Sequence, residues 1–175
     1  CIPPGSNPYK IQKQMEAKYR VVNSEVEYDV LPPAGSESPV VDFIDVDTNI
    51  RRTVKSGGSI KPGRYKYSVT QAGYEMKEEK RDIRIEPDDE SYQIPKATLV
   101  AQERRVAFDM GYQGVSIQPD EILVNDKPYK FEHLKPGGPY KVIVKFNKFQ
   151  TVEKDIMIPA GVGNYTELIT LTPKN

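Results

Sequence analysis

The side chains able to do chemistry are few. His133 is the single histidine and Cys1 the single cysteine in 175 residues. A catalytic histidine needs an oriented nucleophile or carboxylate beside it, and His133 stands directly before the turn signal Leu134-Lys135-Pro136-Gly137, with neither in the local pattern. It reads as a solvent-facing strand residue. With one histidine and one cysteine there is no basis for Cys/His catalysis or a His-rich metal site. No Gly-x-Ser-x-Gly elbow occurs to support a serine triad. Asp45-x-Asp47-x-Asn49, just after Asp42, opens like a calcium loop, but its sixth position is Ile50 where the turn needs Gly. Its twelfth is Ser56 where a bidentate Glu is required. An EF-hand is rejected; a calcium site on Asp45 and Asp47 stays open beside the plainer reading of a solvated strand face. The expectation is a chain without catalytic residues, resident metal or cofactor, and not an enzyme.

Other ligand classes are narrowed in the same way. Ser56-Gly57-Gly58-Ser59 precedes a hairpin rather than opening a helix, so it lacks the dipole that makes a phosphate loop work. The basic residues of Lys77-Glu78-Glu79-Lys80-Arg81 are interleaved with acids, which is no nucleic-acid footprint. Sugar rings stack on exposed aromatics, and with no Trp in the chain the platform candidates are Tyr74, Tyr112 and Phe149. Tyr74 and Phe149 fall at equivalent places in an internal repeat, which favours packing. Tyr112, between Gly111 and Gly114, lies outside the repeat and is the candidate for an exposed contact.

The elements that must position these residues are strands. Val and Ile together number 31 against 13 for Leu and Ala, and β-branched side chains fit a pleated surface better than a helix. Lys plus Arg equals Asp plus Glu at 25 each, which removes the electrostatic case for nucleic acid or an anionic membrane surface. The apolar share of 37% is thin, so small units are expected rather than one deep core.

Asn7-Pro8 has helix-start chemistry, and Ile11, Met15, Tyr19 and Val22 recur at helical spacing, predicting a helix over about residues 8–21. Glu25 to Val30 alternates as a strand, and Leu31-Pro32-Pro33-Ala34-Gly35-Ser36 reads as a linker. An internal repeat follows. Ser59-Ile60-Lys61-Pro62-Gly63-Arg64-Tyr65-Lys66-Tyr67-Ser68-Val69 is answered by His133-Leu134-Lys135-Pro136-Gly137-Gly138-Pro139-Tyr140-Lys141-Val142-Ile143-Val144. Alternation places Tyr65, Tyr67 and Val69, and likewise Tyr140, Val142, Val144 and Phe146, on one face. Asn125-Asp126-Lys127 between apolar runs is a hairpin signal. The predicted architecture is mainly β: two tandem small antiparallel β-sandwich domains preceded by a short helix, divided as 1–36, 37–103 and 104–175.

Each repeat resembles the PEGA class of bacterial envelope domains, through Ile60-Lys61-Pro62-Gly63-Arg64-Tyr65, Leu134-Lys135-Pro136-Gly137-Gly138-Pro139-Tyr140 and the Gly73-Tyr74 step. The naming Pro-Glu-Gly-Ala motif is absent, and Lys148-Phe149 replaces Gly-Tyr in the second repeat. The resemblance implies transthyretin-like sandwiches serving as spacers or adhesion modules, with no catalytic residues to carry over. Cys1 followed by Ile2-Pro3-Pro4-Gly5-Ser6-Asn7 resembles a bacterial lipoprotein after signal cleavage. That implies an acylated Cys1 holding the protein to a membrane, with the outer membrane favoured because Asp does not follow. The expected role is a structural or protein-interaction subunit of an outer-membrane assembly, with envelope proteins as partners and no nucleic acid. The alternative is a polysaccharide- or peptidoglycan-binding module.

Overall fold

Alternating Val, Ile and Tyr keep the backbone extended, and Gly, Pro, Asn and Asp interrupt it every few residues, so the chain forms short strands. The computed structural model describes residues 19–78, 81–88 and 90–175, and among these the regular structure is entirely β. The strands are β1 (Arg20–Tyr28), β2 (Val40–Asp45), β3 (Arg51–Lys55), β4 (Ser59–Ile60), β5 (Gly63–Thr70), β6 (Tyr74–Met76), β7 (Arg81–Ile85) and β8 (Ser91–Ala101). They continue as β9 (Arg104–Asp109), β10 (Gly111–Tyr112), β11 (Val115–Ser116), β12 (Glu121–Val124), β13 (Lys127–Pro128), β14 (His133–Leu134), β15 (Gly137–Lys145), β16 (Val152–Ile158) and β17 (Tyr165–Leu168). Among the described residues no helix is long and apolar enough to cross a membrane.

The chain divides into two compact units. The first is built from residues up to Glu27 together with Ser38–Gln71 and Met76–Leu99, the second from Tyr28–Glu37, Ala72–Glu75 and Val100–Asn175. In the first, β3-β2-β5-β7 form one sheet, and β4 pairs with the start of β1; the sheet that holds this pair has the order β4-β1-β8-β6, and its strands β1, β6 and β8 carry residues of both units. In the second, the sheets are β13-β12-β15-β16 and β14-β9-β17, with the hairpin β10-β11 beside them. The pairing repeats: β2, β5 and β7 of the first unit correspond to β12, β15 and β16 of the second. β4 pairs with β1 as β14 pairs with β9.

The helix expected over 8–21 falls mostly outside the described residues, and where the two overlap it gives way to strand. Arg20 and Val21 open β1, with Arg20 against Ile60 and Val21 against Ser59. The reason is local: Val21 and Val22 are β-branched, and alternation buries Arg20 and Val22 while exposing Val21. A second departure concerns strand direction. β17 runs parallel to β9, whereas an antiparallel arrangement was predicted. A parallel pair needs a long crossover, and here the whole intervening chain between β9 and β17 supplies it.

The cores follow the predicted period of two. In the first unit Val41, Phe43, Tyr65, Tyr67 and Val69 are buried, and Phe43 meets Tyr65 edge to face with centroids 5.6 Å apart. In the second, Val106 and Phe108 of β9, Ile122 and Val124 of β12, Val142 and Val144 of β15, and Ile156 and Ile158 of β16 form one cluster. Both sheets of that unit contribute to it. The repeated tyrosines have a repeated structural role. The Tyr65 hydroxyl donates to the Lys61 carbonyl at 2.9 Å, and the Tyr140 hydroxyl to the Lys135 carbonyl at 2.9 Å. Each pins the Lys-Pro-Gly turn to the strand that follows it, in the manner of a tyrosine corner.

Candidate functional site

Three predicted positions carry structural work. Tyr74 is 7% exposed; its hydroxyl donates to the Val30 carbonyl at 2.8 Å and its ring meets that of Tyr28 edge to face at 5.2 Å. Phe149 packs against Phe146 at 5.9 Å and against half-buried Tyr112 at 5.2 Å, both edge to face, so the three rings form a satellite of the second core. Cys1 lies outside the described residues. His133 is exposed on β14 opposite Arg105. The acidic run is a turn. Asp45 Oδ1 accepts the N–H groups of Asp47 at 2.9 Å and Thr48 at 2.8 Å, and Asp47 pairs with Arg64 at 2.8 Å. Those backbone bonds, above all that from Thr48, outweigh partial desolvation and hold the Asp45 carboxyl below its ordinary value. Among the described residues no group of three or more His, Cys, Asp or Glu side chains is placed to hold a metal ion.

A cleft of about 310 Å³ opens in the second unit, and none of these residues lines it. Its construction begins with two tight turns. Gln113 and Gly114 both have positive φ, +49° and +79°, the two-residue geometry that matches strand twist in a hairpin. That turn folds β11 back on β10, and the chain continues so that the Ile117 N–H donates to the Met110 carbonyl at 2.7 Å. Asn125 and Asp126, with φ of +49° and +62°, make the same kind of turn between β12 and β13, as the Asn-Asp pair predicts. The Tyr129 N–H then donates to the Ile122 carbonyl at 2.8 Å.

Tyr129 is held from several sides. Its hydroxyl lies 2.8 Å from the carbonyl oxygens of both Val106 and Glu132. Its ring stands edge to face with Phe108 at 5.7 Å and tilted to Phe131, again at 5.7 Å. Burial pushes the hydroxyl above the ordinary tyrosine value, with Glu132 adding to that and the Val106 bond and Arg105 opposing it, so Tyr129 stays neutral through the physiological range. Phe131, at the mouth, is 46% exposed and has φ of +56°, a left-handed conformation that bulky residues rarely adopt. The floor is Phe108, Met110 and Ile122, and Ser116, Gln118, Pro119, Asp120 and Glu121 line the remainder. The only charged side chains in the lining are the two carboxylates. Glu121 is neutralised by Lys145 at 2.6 Å. Asp120, anchored through its N–H to the Lys145 carbonyl at 2.9 Å, is exposed and its carboxylate has no partner among the described residues.

Such a cleft offers aromatic faces, an apolar floor and one free negative charge. Its lining contains no His, Cys or Lys; the polar side chains it offers are Ser116, Gln118, Asp120, Glu121 and Tyr129. Sequence reasoning did not single out Asp120, Tyr129 or Phe131. The available signal was that residues 104–131 lie outside the closely matching part of the repeat, in the same stretch as Tyr112.

No family model and no curated protein matches the chain. Among solved structures it is similar to the Bacillus anthracis TIE protein, with 10% sequence identity over 89% of this chain and a TM-score of 0.38. The chain spans about a third of that structure's length, 34%.

Proposed function

We propose that this chain is a non-enzymatic interaction module, made of two tandem β-sandwich repeats of the PEGA-like kind, and that the cleft of its second unit holds a partner protein. The setting that goes with this reading is a bacterial cell envelope, where such modules serve as subunits of larger assemblies. The observation that carries it is where the cleft sits. The residues matched between the two repeats secure turns and cores, as Tyr65 and Tyr140 do. The cleft instead takes part of its lining from Ser116 at the end of the hairpin β10-β11 and from residues 117–120 that follow, and the strand pairing described for the first unit has no counterpart to that hairpin. Loops added to a rigid scaffold are where binding is concentrated.

A sugar platform needs a flat exposed ring. Tyr74 is buried, and Tyr112 and Phe149 pack edge to face on one another, which weighs against these three as a glycan platform. The test is a photo-crosslinking amino acid at position 131, compared with position 157, where Met157 is 61% exposed on β16. In cells of the source organism, one discrete protein adduct is expected from position 131 and not from 157. The same adducts from both positions, or none from 131, refute the reading.

A further inference from the structure

The geometry points to a cationic side chain, the ammonium of a lysine or the guanidinium of an arginine presented by the partner, as the group that enters the cleft. This rests on the cleft being the contact site and names what it recognises. A ring attracts a cation through its negative face, and the mouth supplies two rings at an angle, Tyr129 and Phe131, with interplanar tilt 57°. The charge complement is one-sided: the cleft is lined by Asp120 and Glu121 and by no basic residue. Lys145 already satisfies Glu121, so Asp120 is the carboxylate left for an incoming charge. The apolar floor of Phe108, Met110 and Ile122 suits the methylene stem of a lysine or arginine, which carries its charge at the end of a greasy arm. Phe131 supports the same conclusion. It is a large aromatic kept nearly half exposed in a left-handed conformation, an arrangement that costs stability and persists at ligand clamps.

The test uses the full chain, labelled with nitrogen-15 and titrated separately with N-acetyl-lysinamide, N-acetyl-argininamide, the uncharged N-acetyl-norleucinamide and chitotriose. Saturable amide shifts confined to residues 108–131 are expected with the two cations, with norleucinamide at least about tenfold weaker. Asp120→Asn and Phe131→Asn are each expected to weaken cation binding about tenfold. Asn tolerates the left-handed backbone, so the second variant is expected to unfold at a temperature close to that of the parent; a folded variant that no longer binds separates recognition from structure. Equal response to norleucinamide, unchanged binding in both variants, or shifts with chitotriose alone overturn the inference. A protein adduct at position 131 without any cation response overturns it while leaving the interaction reading in place. Cation binding without an adduct does the reverse.

Discussion

Replacing Asp42 tests how the first unit tolerates a buried charge. Asp42 is 3% exposed at the middle of β2, and its carboxylate accepts hydrogen bonds from Arg51 Nη2 at 2.5 Å, Thr53 Oγ1 at 2.5 Å and Thr70 Oγ1 at 3.2 Å. Strand register brings the nearest of these together, since Asp42 lies directly opposite Thr53. Burial raises the carboxyl's pKa, while the bonds from Arg51, Thr53 and Thr70 and the charge of Arg51 lower it further, leaving it below the ordinary 3.8. A hydrogen bond to a charged group is worth about 1.5–3 kcal/mol. The Arg51 side chain is 66% exposed and is rehydrated when its partner goes, so its ion pair counts for no more than about 1 kcal/mol. The Thr53 bond and the weaker Thr70 bond bring the expected loss on Asp42→Ala to about 2–3 kcal/mol at neutral pH. Asp42→Asn, which keeps the shape and one acceptor, is expected to lose about half of that.

The pH dependence follows from the direction of the shift. A carboxyl whose folded pKa is depressed contributes stability above its unfolded value of 3.8, and that contribution is lost as pH falls through the folded value. The deficit of Asp42→Ala is therefore expected at pH 7 and should close in acid below both values. Urea unfolding followed by circular dichroism, with hydrogen exchange at β2, β3 and β5 to isolate the first unit, measures both quantities. A neutral or stabilising Asp42→Ala at pH 7 would mean that desolvation of the buried charge outweighs its partners. A deficit that stays constant into acid would mean that volume rather than charge is at stake. Either result refutes the reasoning.

The other expectations are brief. Tyr65→Phe and Tyr140→Phe each remove one hydroxyl bond to a turn carbonyl and should each cost about 1 kcal/mol in chemical denaturation, nearly equally in the two units. Gly73 has φ of +82°, and a Cβ there would stand 2.7 Å from the backbone of Gly161; Gly73→Ala should therefore cost more than about 2 kcal/mol. Gly114, with φ of +79° and open space around it, provides the control, because its replacement by Ala meets only the conformational cost of about 1 kcal/mol, read as a smaller fall in melting temperature. The Tyr165 hydroxyl, bonded to Glu167 and partly buried, has its pKa pushed up from 10.0 to about 12. Its neutral form is favoured in the folded state, so stability should decline as pH rises from 10 towards 12. Tyr165→Phe should remove that decline in alkaline unfolding curves.

Much of the β structure is a local property, and local properties are legible in a sequence. Side chains alternate across a strand whatever the strand pairs with, so Tyr65, Tyr67 and Val69 could be assigned to one face, and all three are buried. In the second repeat Val142, Val144 and Phe146 are buried as expected, and the Asn125-Asp126 turn forms because both residues accept a left-handed backbone. Helical spacing misled at its end: Arg20 and Val21 also fit an alternating pattern, and hydrogen bonds from β4 decide for the strand.

Contacts between distant segments were decided by tertiary structure, because a sequence pattern carries no record of which segments meet. Asp29 stands in a stretch that reads as the end of a strand before a linker, yet its carboxylate accepts the Ala101 N–H at 2.9 Å and lies 3.3 Å from Lys135. Arg104, one charge among many in the sequence, donates to the carbonyl oxygens of Pro159, Gly163 and Asn164 and holds that loop in place. β17 joins β9 in parallel only after the whole unit has closed between them. The cleft depends on the same closure: Phe108, Asp120, Tyr129 and Phe131 are unremarkable singly, and two left-handed turns and one carbonyl pair are needed to bring them together. The sequence by itself determined strands, turns and a repeated unit, since these follow from side-chain alternation and backbone preference. Where the cleft lies was set by how residues 110–120 close upon the paired strands, a contact between segments that no local pattern records.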